Sequence, residues 1–269
     1  MQNKIYLSAS SINIFKTCKR RYKYKYIDKL NKDTKLESKF ISFGQSIHKA
    51  IADFNSIQNK EFKTLQILQN LLRKNWNREG YEGIDEEREF GLKGLKMLEE
   101  YFYNPQDIAT ENLLIENTIK EYRNNNIILI GKIDRAIINL NNEIEIIDYK
   151  TGNTIEFGGD FVLDPQIAIY TELFKNNFNK VPDYVSFYYL AHNKKVQIKI
   201  EPQHINLISE FLNDTTNDII TEKELPCNVS ESCEYTCEFC DICDKSYNID
   251  EKLLDELKTN IFNTNRKSI

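Results

Sequence analysis

Three isoleucine-rich segments follow one another near the middle of the chain, over residues 113–123, 127–138 and 143–150. Apolar and polar residues alternate along parts of each segment, as expected for β-strands. The asparagine-rich stretches 124–126 and 140–142 separate the segments, and asparagine favours tight turns. This pattern predicts a three-stranded antiparallel meander, which requires a fold with a central β-sheet.

Helical patterns flank the predicted meander on both sides. We predict helices over 9–24, from Gly44 through His48, and over 61–77, 86–103, 165–177, 203–221 and 249–262. Asp164 and Pro165 supply an N-cap and a first-turn proline for one of them. Two further strands are predicted over 183–192 and 194–200. The predicted fold class is α/β, with a central mixed β-sheet that contains the antiparallel meander and is flanked by helices.

The domain organisation follows from length and from the order of these patterns. A chain of 269 residues is long enough for one large domain or two small ones. It contains no internal repeat and no linker-like stretch, so we predict a single domain over 1–269. Its parts would be a mainly helical region over 1–110, a core over 111–200, and a helix with a cysteine-rich segment over 201–269.

Composition excludes several classes of protein. Hydrophobic residues make up 41% and charged residues 29% of the chain, which is typical of a folded globular protein. No run approaches the roughly 18 apolar residues that a membrane-spanning helix needs. The N-terminus lacks the apolar core of a secretory signal. We therefore expect no membrane association and a cytoplasmic location, in a bacterium or a phage-infected cell.

Charge is unevenly distributed along the chain, although the formal net charge is only −5. Residues 1–40 contain eleven Lys and Arg against three Asp and Glu, which gives that region about +8. The basic run Lys19, Arg20 and Arg21 lies within it and is a candidate for contact with DNA phosphates. A solvated charged surface is the alternative interpretation.

Carboxylates recur at matching positions of the predicted meander. Turns centred on the two asparagine stretches would place Glu116 and Asp148 on either side of Asp134, on one rung of the sheet. Directly opposed side chains lie about 5 Å apart at Cβ. Lys150 follows Asp148 by two residues and so lies on the same face. The sequence therefore predicts three acidic groups and one lysine close together.

Like charges at such spacing repel one another, and a divalent cation relieves that repulsion. Carboxylate oxygens suit hard ions such as Mg²⁺. Such an ion can polarise a phosphoryl oxygen and deliver a hydroxide, and a neighbouring lysine can stabilise the developing negative charge. Exposed strand charges joined in salt bridges are the alternative, which the apolar neighbours Ile133, Ile146 and Ile147 make less favourable.

Two sequence stretches carry a resemblance to a known family. Residues 131–135 (GKIDR) and 147–152 (IDYKTG) resemble the core signature of PD-(D/E)XK nucleases, whose core has the restriction-endonuclease-like fold. They are most similar to the RecB-like branch, which includes the AddB nuclease domain and CRISPR-associated RecB-like exonucleases. Other pieces match in the order of the family: 7–22 as an N-terminal cysteine helix, 43–48 as a histidine motif, and Gln166 with Tyr170 as a helix motif.

The resemblance implies roles for individual residues of the site. His48, Asp134 and Asp148 would bind Mg²⁺ or Mn²⁺, and Lys150 would be the catalytic lysine. Glu116 is a further candidate at a position where the family varies.

Gln166 and Tyr170 lie four residues apart and so share one face of a helix. The resemblance implies that they contact DNA or support the site.

The cysteines form the second group with a predicted function. Five of the six lie within 17 residues, and Cys18 lies more than 200 residues away. Clustered cysteines in a chain without an export signal bind metal more often than they form disulfides. The resemblance implies a [4Fe–4S] cluster, held by one N-terminal and three C-terminal cysteines. The best match to the family spacing is Cys18, Cys233, Cys237 and Cys243, with Cys240 as the alternate and Cys227 spare; Zn²⁺ is the alternative metal.

These features together predict a metal-dependent DNA nuclease, most consistent with an exonuclease in recombination, repair, phage or CRISPR-related processing. The substrate would be DNA that is single-stranded or has free ends. No GxxxxGK[ST] motif is present, so a helicase or a recombination or CRISPR partner would supply any unwinding. The alternative is a non-catalytic nuclease-like module that binds DNA or protein and is stabilised by a metal cluster.

Overall fold

The computed structural model of the chain describes residues 4–30, 38–123, 126–155, 161–230 and 233–243. Its contacts divide the chain into two compact units, one of residues 1–12 and 34–221, the other of residues 13–33 and 222–269. The first unit contains every described strand, and the second contains all six cysteines. The sequence-based division into one domain with three parts stays a prediction.

The first unit is organised around one six-stranded mixed sheet. Its strands are β1 (Ile5–Leu7), β2 (Ala109–Arg123), β3 (Ile127–Asn139), β4 (Ile144–Lys150), β5 (Tyr184–Tyr189) and β6 (Lys194–Lys199). Strand β3 pairs antiparallel with β2 along one edge, and along the other edge with β1, in parallel, and with β4, antiparallel. Strand β5 pairs in parallel with β4 and antiparallel with β6. The predicted meander and mixed sheet are confirmed, whereas the short β1 was not predicted.

The register of the meander is the one that the turns predict. Between β2 and β3, Ile115 faces Arg135 and Asn117 faces Ile133, so Glu116 and Asp134 lie between two paired positions. Between β3 and β4, Arg135 faces Ile147. Asp134 and Asp148 occupy the next position along the two strands, just beyond this last pair of the β3–β4 ladder.

Helices surround the sheet and extend into the second unit. The described α-helices are α1 (Ala9–Thr17), α2 (Lys19–Tyr22), α3 (Ser38–Asn55), α4 (Leu65–Lys74), α5 (Ile84–Tyr103), α6 (Pro165–Phe178), α7 (Pro202–Thr221) and α8 (Cys233–Thr236). A π-helix over Lys23–Ile27 follows α2. The predicted helix over 9–24 is wrong in one respect, because Cys18 adopts an extended conformation and separates α1 from α2. Helix α3 begins at Ser38, earlier than predicted, and the predicted helix over 249–262 lies outside the described residues.

One apolar core of the first unit lies between the sheet and helices α3, α4 and α5. Buried side chains from these helices, such as Ile47, Leu68 and Leu98, pack with Ile137 and Ile147 of the sheet. Because α3 presents Ile47 and Ile51 to this core, it is fixed against the sheet. None of the helices in the described ranges is both long and apolar enough to cross a membrane.

Candidate active site

The middle of β3 and the last residues of β4 bring Asp134 and Asp148 to one place, just beyond the β3–β4 ladder, as the sequence predicts. Asp134 is buried, and its two carboxylate oxygens have different partners. Oδ1 lies 3.2 Å from Nδ1 of His48 on α3, and Oδ2 accepts a hydrogen bond of 2.9 Å from the backbone N–H of Tyr149. The carboxylate therefore bridges a helix and a neighbouring strand.

Glu116 completes a group of three side chains that could hold a cation. One ligand atom each from His48, Glu116 and Asp134 lies within 4.8 Å of the others. Glu116 has a φ of 49°, in the left-handed region that a residue with a Cβ rarely adopts, and Lys132 pairs with its carboxylate. A donor set of two carboxylates and one imidazole fits a divalent metal ion.

Asp148 lies beside this group but has partners of its own. Its Oδ2 accepts from the Lys150 ammonium at 2.7 Å. Its Oδ1 accepts from Gln166 Nε2 and from the Tyr170 hydroxyl, each at 3.0 Å. Gln166 also accepts a hydrogen bond from Lys150 through Oε1. The four residues form one hydrogen-bonded cluster, in which Gln166 and Tyr170 support the carboxylate and the lysine, and the metal-ligand role of Asp148 stays a prediction.

The acidic surroundings shift the pKa values of this cluster in a consistent way. Burial raises the pKa of the Asp148 carboxyl, and the nearby ammonium of Lys150 opposes that shift. Burial alone would lower the pKa of Lys150 and of His48, but the charges and hydrogen bonds of the surrounding carboxylates together outweigh it, so both pKa values are raised. Carboxylates thus surround both bases, which is an electrostatic environment that attracts cations.

Helix α6 delivers Gln166 and Tyr170 to the site through two local features. Asp164 caps the helix by accepting from the backbone N–H of Gln166 at 2.8 Å, with Pro165 in the first turn, as predicted. At the sheet, a Cβ on Gly131 would lie 2.9 Å from Leu173 Cδ1, closer than carbon atoms can approach. Gly131 therefore permits close contact between α6 and β3.

Sequence reasoning missed two aromatic residues at this site. The ammonium of Lys150 lies 4.7 Å from the centre of the Phe187 ring, within range of a cation–π interaction. Tyr149 lies between Asp148 and Lys150 in sequence, and its ring meets that of His48 edge to face at 6.1 Å. Phe187 comes from β5, which pairs with β4 only in the folded chain, so no local pattern identifies it.

The second unit contains the candidate metal-binding cysteines. All six line one cavity of about 40 Å³. Cys227 Sγ lies 3.2 Å from Cys243 Sγ, so the residue that spacing leaves spare is in direct contact with a predicted ligand. Cys18 is held nearby, because its sulfur accepts hydrogen bonds from the backbone N–H groups of Arg21 at 3.4 Å and Asn228 at 3.5 Å.

The predicted DNA-binding residues have partners within the second unit. Lys19 pairs with Glu222, and the Arg20 Nε donates to the Leu225 carbonyl at 2.9 Å. Arg21 pairs with Glu238 at 2.5 Å. These contacts join the N-terminal and C-terminal segments of the unit, and a role of the three residues in binding DNA stays a prediction.

Comparisons with known proteins identify the family. Among solved structures, SSO0001 is 13% identical with a TM-score of 0.40, covering 91% of this chain and 88% of that chain. A proposed exonuclease from Eubacterium rectale is 12% identical with a TM-score of 0.48, covering 87% of this chain and 89% of that chain. A search of the curated proteins gave no match. The family model of the PD-(D/E)XK nuclease superfamily matches residues 6–244, a span that includes every residue of the site described above, so this chain belongs to that superfamily.

Proposed function

We propose that the chain is a metal-dependent DNA exonuclease of the RecB-like branch. The observation that carries this proposal is the convergence of His48, Glu116 and Asp134 within 4.8 Å, with a lysine–carboxylate pair beside them. Superfamily membership implies a nucleic acid substrate, and nucleases of this superfamily usually use divalent metal ions. The geometry supplies both a place for such an ion and a positive charge next to it.

The donor set favours Mg²⁺ or Mn²⁺, with His48 Nδ1 and oxygens of Glu116 and Asp134 as ligands. When bound, such an ion supplies Lewis-acid polarisation of a phosphodiester and makes water more acidic. Asp148 is close enough to contribute to the same charge cluster, because its charge acts on His48 and that of Asp134 acts on Asp148. We propose it as a further ligand once a cation competes with Lys150 for its oxygens.

The remaining residues position charge and protons around the phosphate. Lys150 keeps its proton, and its ammonium is fixed by Asp148, Gln166 and the Phe187 ring. A fixed positive charge of this kind stabilises negative charge that develops on phosphate oxygens in the transition state. Tyr170 and Gln166 hold the Asp148 carboxylate in one orientation, which keeps the lysine in place before substrate binds.

In the second unit we propose a [4Fe–4S] cluster held by cysteine thiolates. Six thiols around one cavity are a suitable donor set for iron or zinc. The resemblance to the RecB-like branch favours the iron–sulfur cluster, with Cys18 and Cys243 as ligands. The contact between Cys227 and Cys243 adds Cys227 to the candidates.

A cleavage assay tests the proposed activity. We expect a 5′-labelled linear single strand to be degraded in Mg²⁺ or Mn²⁺ and protected by chelation with EDTA. A circular single strand of the same sequence should survive, because an exonuclease requires a free end. Cleavage of the circle would contradict the exonuclease proposal. Binding of both substrates without cleavage in either metal would favour the non-catalytic module. A requirement for an added helicase would support the partner prediction.

Lys150→Ala should lower the rate of cleavage by about 100-fold or more while leaving DNA affinity within about threefold, because the lysine acts on charge that develops in the transition state. Cleavage under single-turnover conditions and fluorescence anisotropy with a labelled oligonucleotide in Ca²⁺ measure the two effects.

The matched control for this prediction is Lys195→Ala. Lys195 is also a partly buried lysine paired with a buried carboxylate, that of Glu145 at 2.8 Å, but it lies on β6 and not in the site. The control should lose stability to a similar extent and retain its cleavage rate. Equal losses of rate in both variants would show that Lys150 acts only through stability.

A further inference from the structure

The β3–β4 ladder ends just before the two acidic residues of the site. The last described pair is Arg135 with Ile147, one residue short of Asp134 and Asp148. Beyond it, the backbone N–H of Tyr149 donates to the Asp134 carboxylate. Main-chain pairing between β3 and β4 therefore does not fix the distance between the two acidic side chains.

A buried polar group joins the same two strands at this point. Arg135, which follows Asp134, donates from Nη1 to the Asp107 carboxylate at 2.6 Å. Tyr149, which follows Asp148, donates its hydroxyl to the same Asp107 oxygen at 2.5 Å. All three residues are at most 5% exposed. One carboxylate, from the segment between α5 and β2, thus connects the residues that follow each acidic side chain of the site.

Neighbouring residues of a strand point to opposite faces of the sheet, and the contacts agree for β4. Asp148 meets residues of α6, whereas Tyr149 meets Asp107 and the Tyr101 ring of α5. A displacement of the Tyr149 side chain would therefore move Asp148 on the opposite face. It would also move the N–H that orients Asp134.

We propose that Tyr149 is a positioning residue for the metal-binding group, and that its hydroxyl on Asp107 holds Asp134 and Asp148 at their working separation. The proposal rests on the function proposed above. Loss of a hydrogen bond to a metal ligand commonly changes metal affinity by about 10-fold to 100-fold, and the Tyr149 backbone N–H makes such a bond to Asp134. Tyr149 would act on both acidic side chains at once, through its backbone N–H and through its place in β4.

Tyr101 provides a matched control for the same carboxylate. Its hydroxyl also donates to Oδ2 of Asp107, at 2.9 Å, and its ring is also buried. Tyr101 belongs to α5, however, and precedes no residue of the site. Tyr149→Phe and Tyr101→Phe each remove one hydroxyl from one Asp107 oxygen, and only the first is adjacent to an acidic residue of the site.

Mn²⁺ binding to the full chain without DNA, measured by isothermal titration calorimetry, tests the proposal. Tyr149→Phe should weaken Mn²⁺ binding by about 10-fold or more, and Tyr101→Phe by less than about twofold. Both variants should show a similar fall in Tm. Equal weakening in the two variants, unchanged affinity in Tyr149→Phe, or failure of Tyr149→Phe to fold would overturn the positioning role, because the hydroxyl would then serve only the fold.

The result of the calorimetric test can be distinguished from the result of the cleavage assay that tests the proposed function. A wild-type chain that binds Mn²⁺ but leaves DNA intact would remove the nuclease proposal, and the calorimetric comparison would still decide the role of Tyr149. A wild-type chain that binds no Mn²⁺ would overturn the positioning role directly, since there would be no ion for Tyr149 to position.

Discussion

Asp134→Asn should reduce metal-dependent cleavage by at least about 1,000-fold, the rate equivalent of several kcal/mol of transition-state stabilisation that a bound metal ion supplies. Asp134 shares a candidate metal site with His48 and Glu116. Its Oδ1 faces His48, and its Oδ2 accepts a hydrogen bond from the Tyr149 backbone N–H. The amide has the same shape but no negative charge. The loss should therefore appear in Mn²⁺ affinity as well as in rate, while the circular dichroism spectrum is unchanged.

Asp183→Asn is a matched control for this change. Asp183 also accepts a hydrogen bond from a backbone N–H of β4, that of Ile144 at 2.8 Å, but it lies at the other end of the strand. Single-turnover cleavage should be unaffected in Asp183→Asn. If Asp134→Asn retains more than about a tenth of the wild-type rate at saturating Mn²⁺, the group of His48, Glu116 and Asp134 is not the catalytic metal site.

Cys18→Ser should have the largest effect on stability, with loss of iron and a fall in Tm of at least about 10 °C. Cys18 lies in the N-terminal segment of the second unit, and the other five cysteines lie in its C-terminal segment. A cluster held by both segments adds its binding free energy to folding, because the unfolded chain has no preformed site. Iron and sulfide content, absorbance near 400 nm and Tm, all measured on protein prepared without oxygen, check the prediction.

Two further variants make this result specific. Arg20→Gln removes the bond to the Leu225 carbonyl, another link between the same segments, and should lower Tm slightly with iron retained. Cys227→Ser should lose iron if the contact with Cys243 marks a ligand. Full iron in Cys227→Ser would leave the ligand role to Cys233 and Cys237, whereas full iron in Cys18→Ser would contradict a cluster that joins the two segments. Zinc in place of iron in the wild type would contradict the iron–sulfur assignment.

The centre of the fold was predictable because its information is local. Asparagine-rich turns fix where a hairpin reverses, and a reversal point sets the cross-strand pairs that follow until a bulge shifts the register, which happens in β2 only before Leu114. The register around Asp134 could therefore be derived from the sequence, and so could the cap that Asp164 places on α6. The local signals agreed with the tertiary structure at each of these positions.

The parts that escaped prediction depend on contacts between distant residues. The extended conformation at Cys18 interrupts a pattern that is helical on both sides, and hydrogen bonds to its sulfur stabilise it. Asp107 lies in a short connection with no motif, yet it binds Arg135 and Tyr149. Cys227 has unremarkable spacing and is identified only by its distance to Cys243. Such residues leave no periodic signal in the sequence.

The missing side chain at Gly131 has a consequence for which mutations the chain can tolerate. Helix α6 packs directly against the backbone of Gly131, and Leu173, Ile169 and Tyr170 surround the position that a Cβ would occupy. The same helix carries the side chains that hold Asp148, and an added carbon would press on three side chains of that helix. Position 131 makes no contact with substrate or metal in this scheme, yet its tolerance to substitution should be as narrow as that of a residue in the site itself.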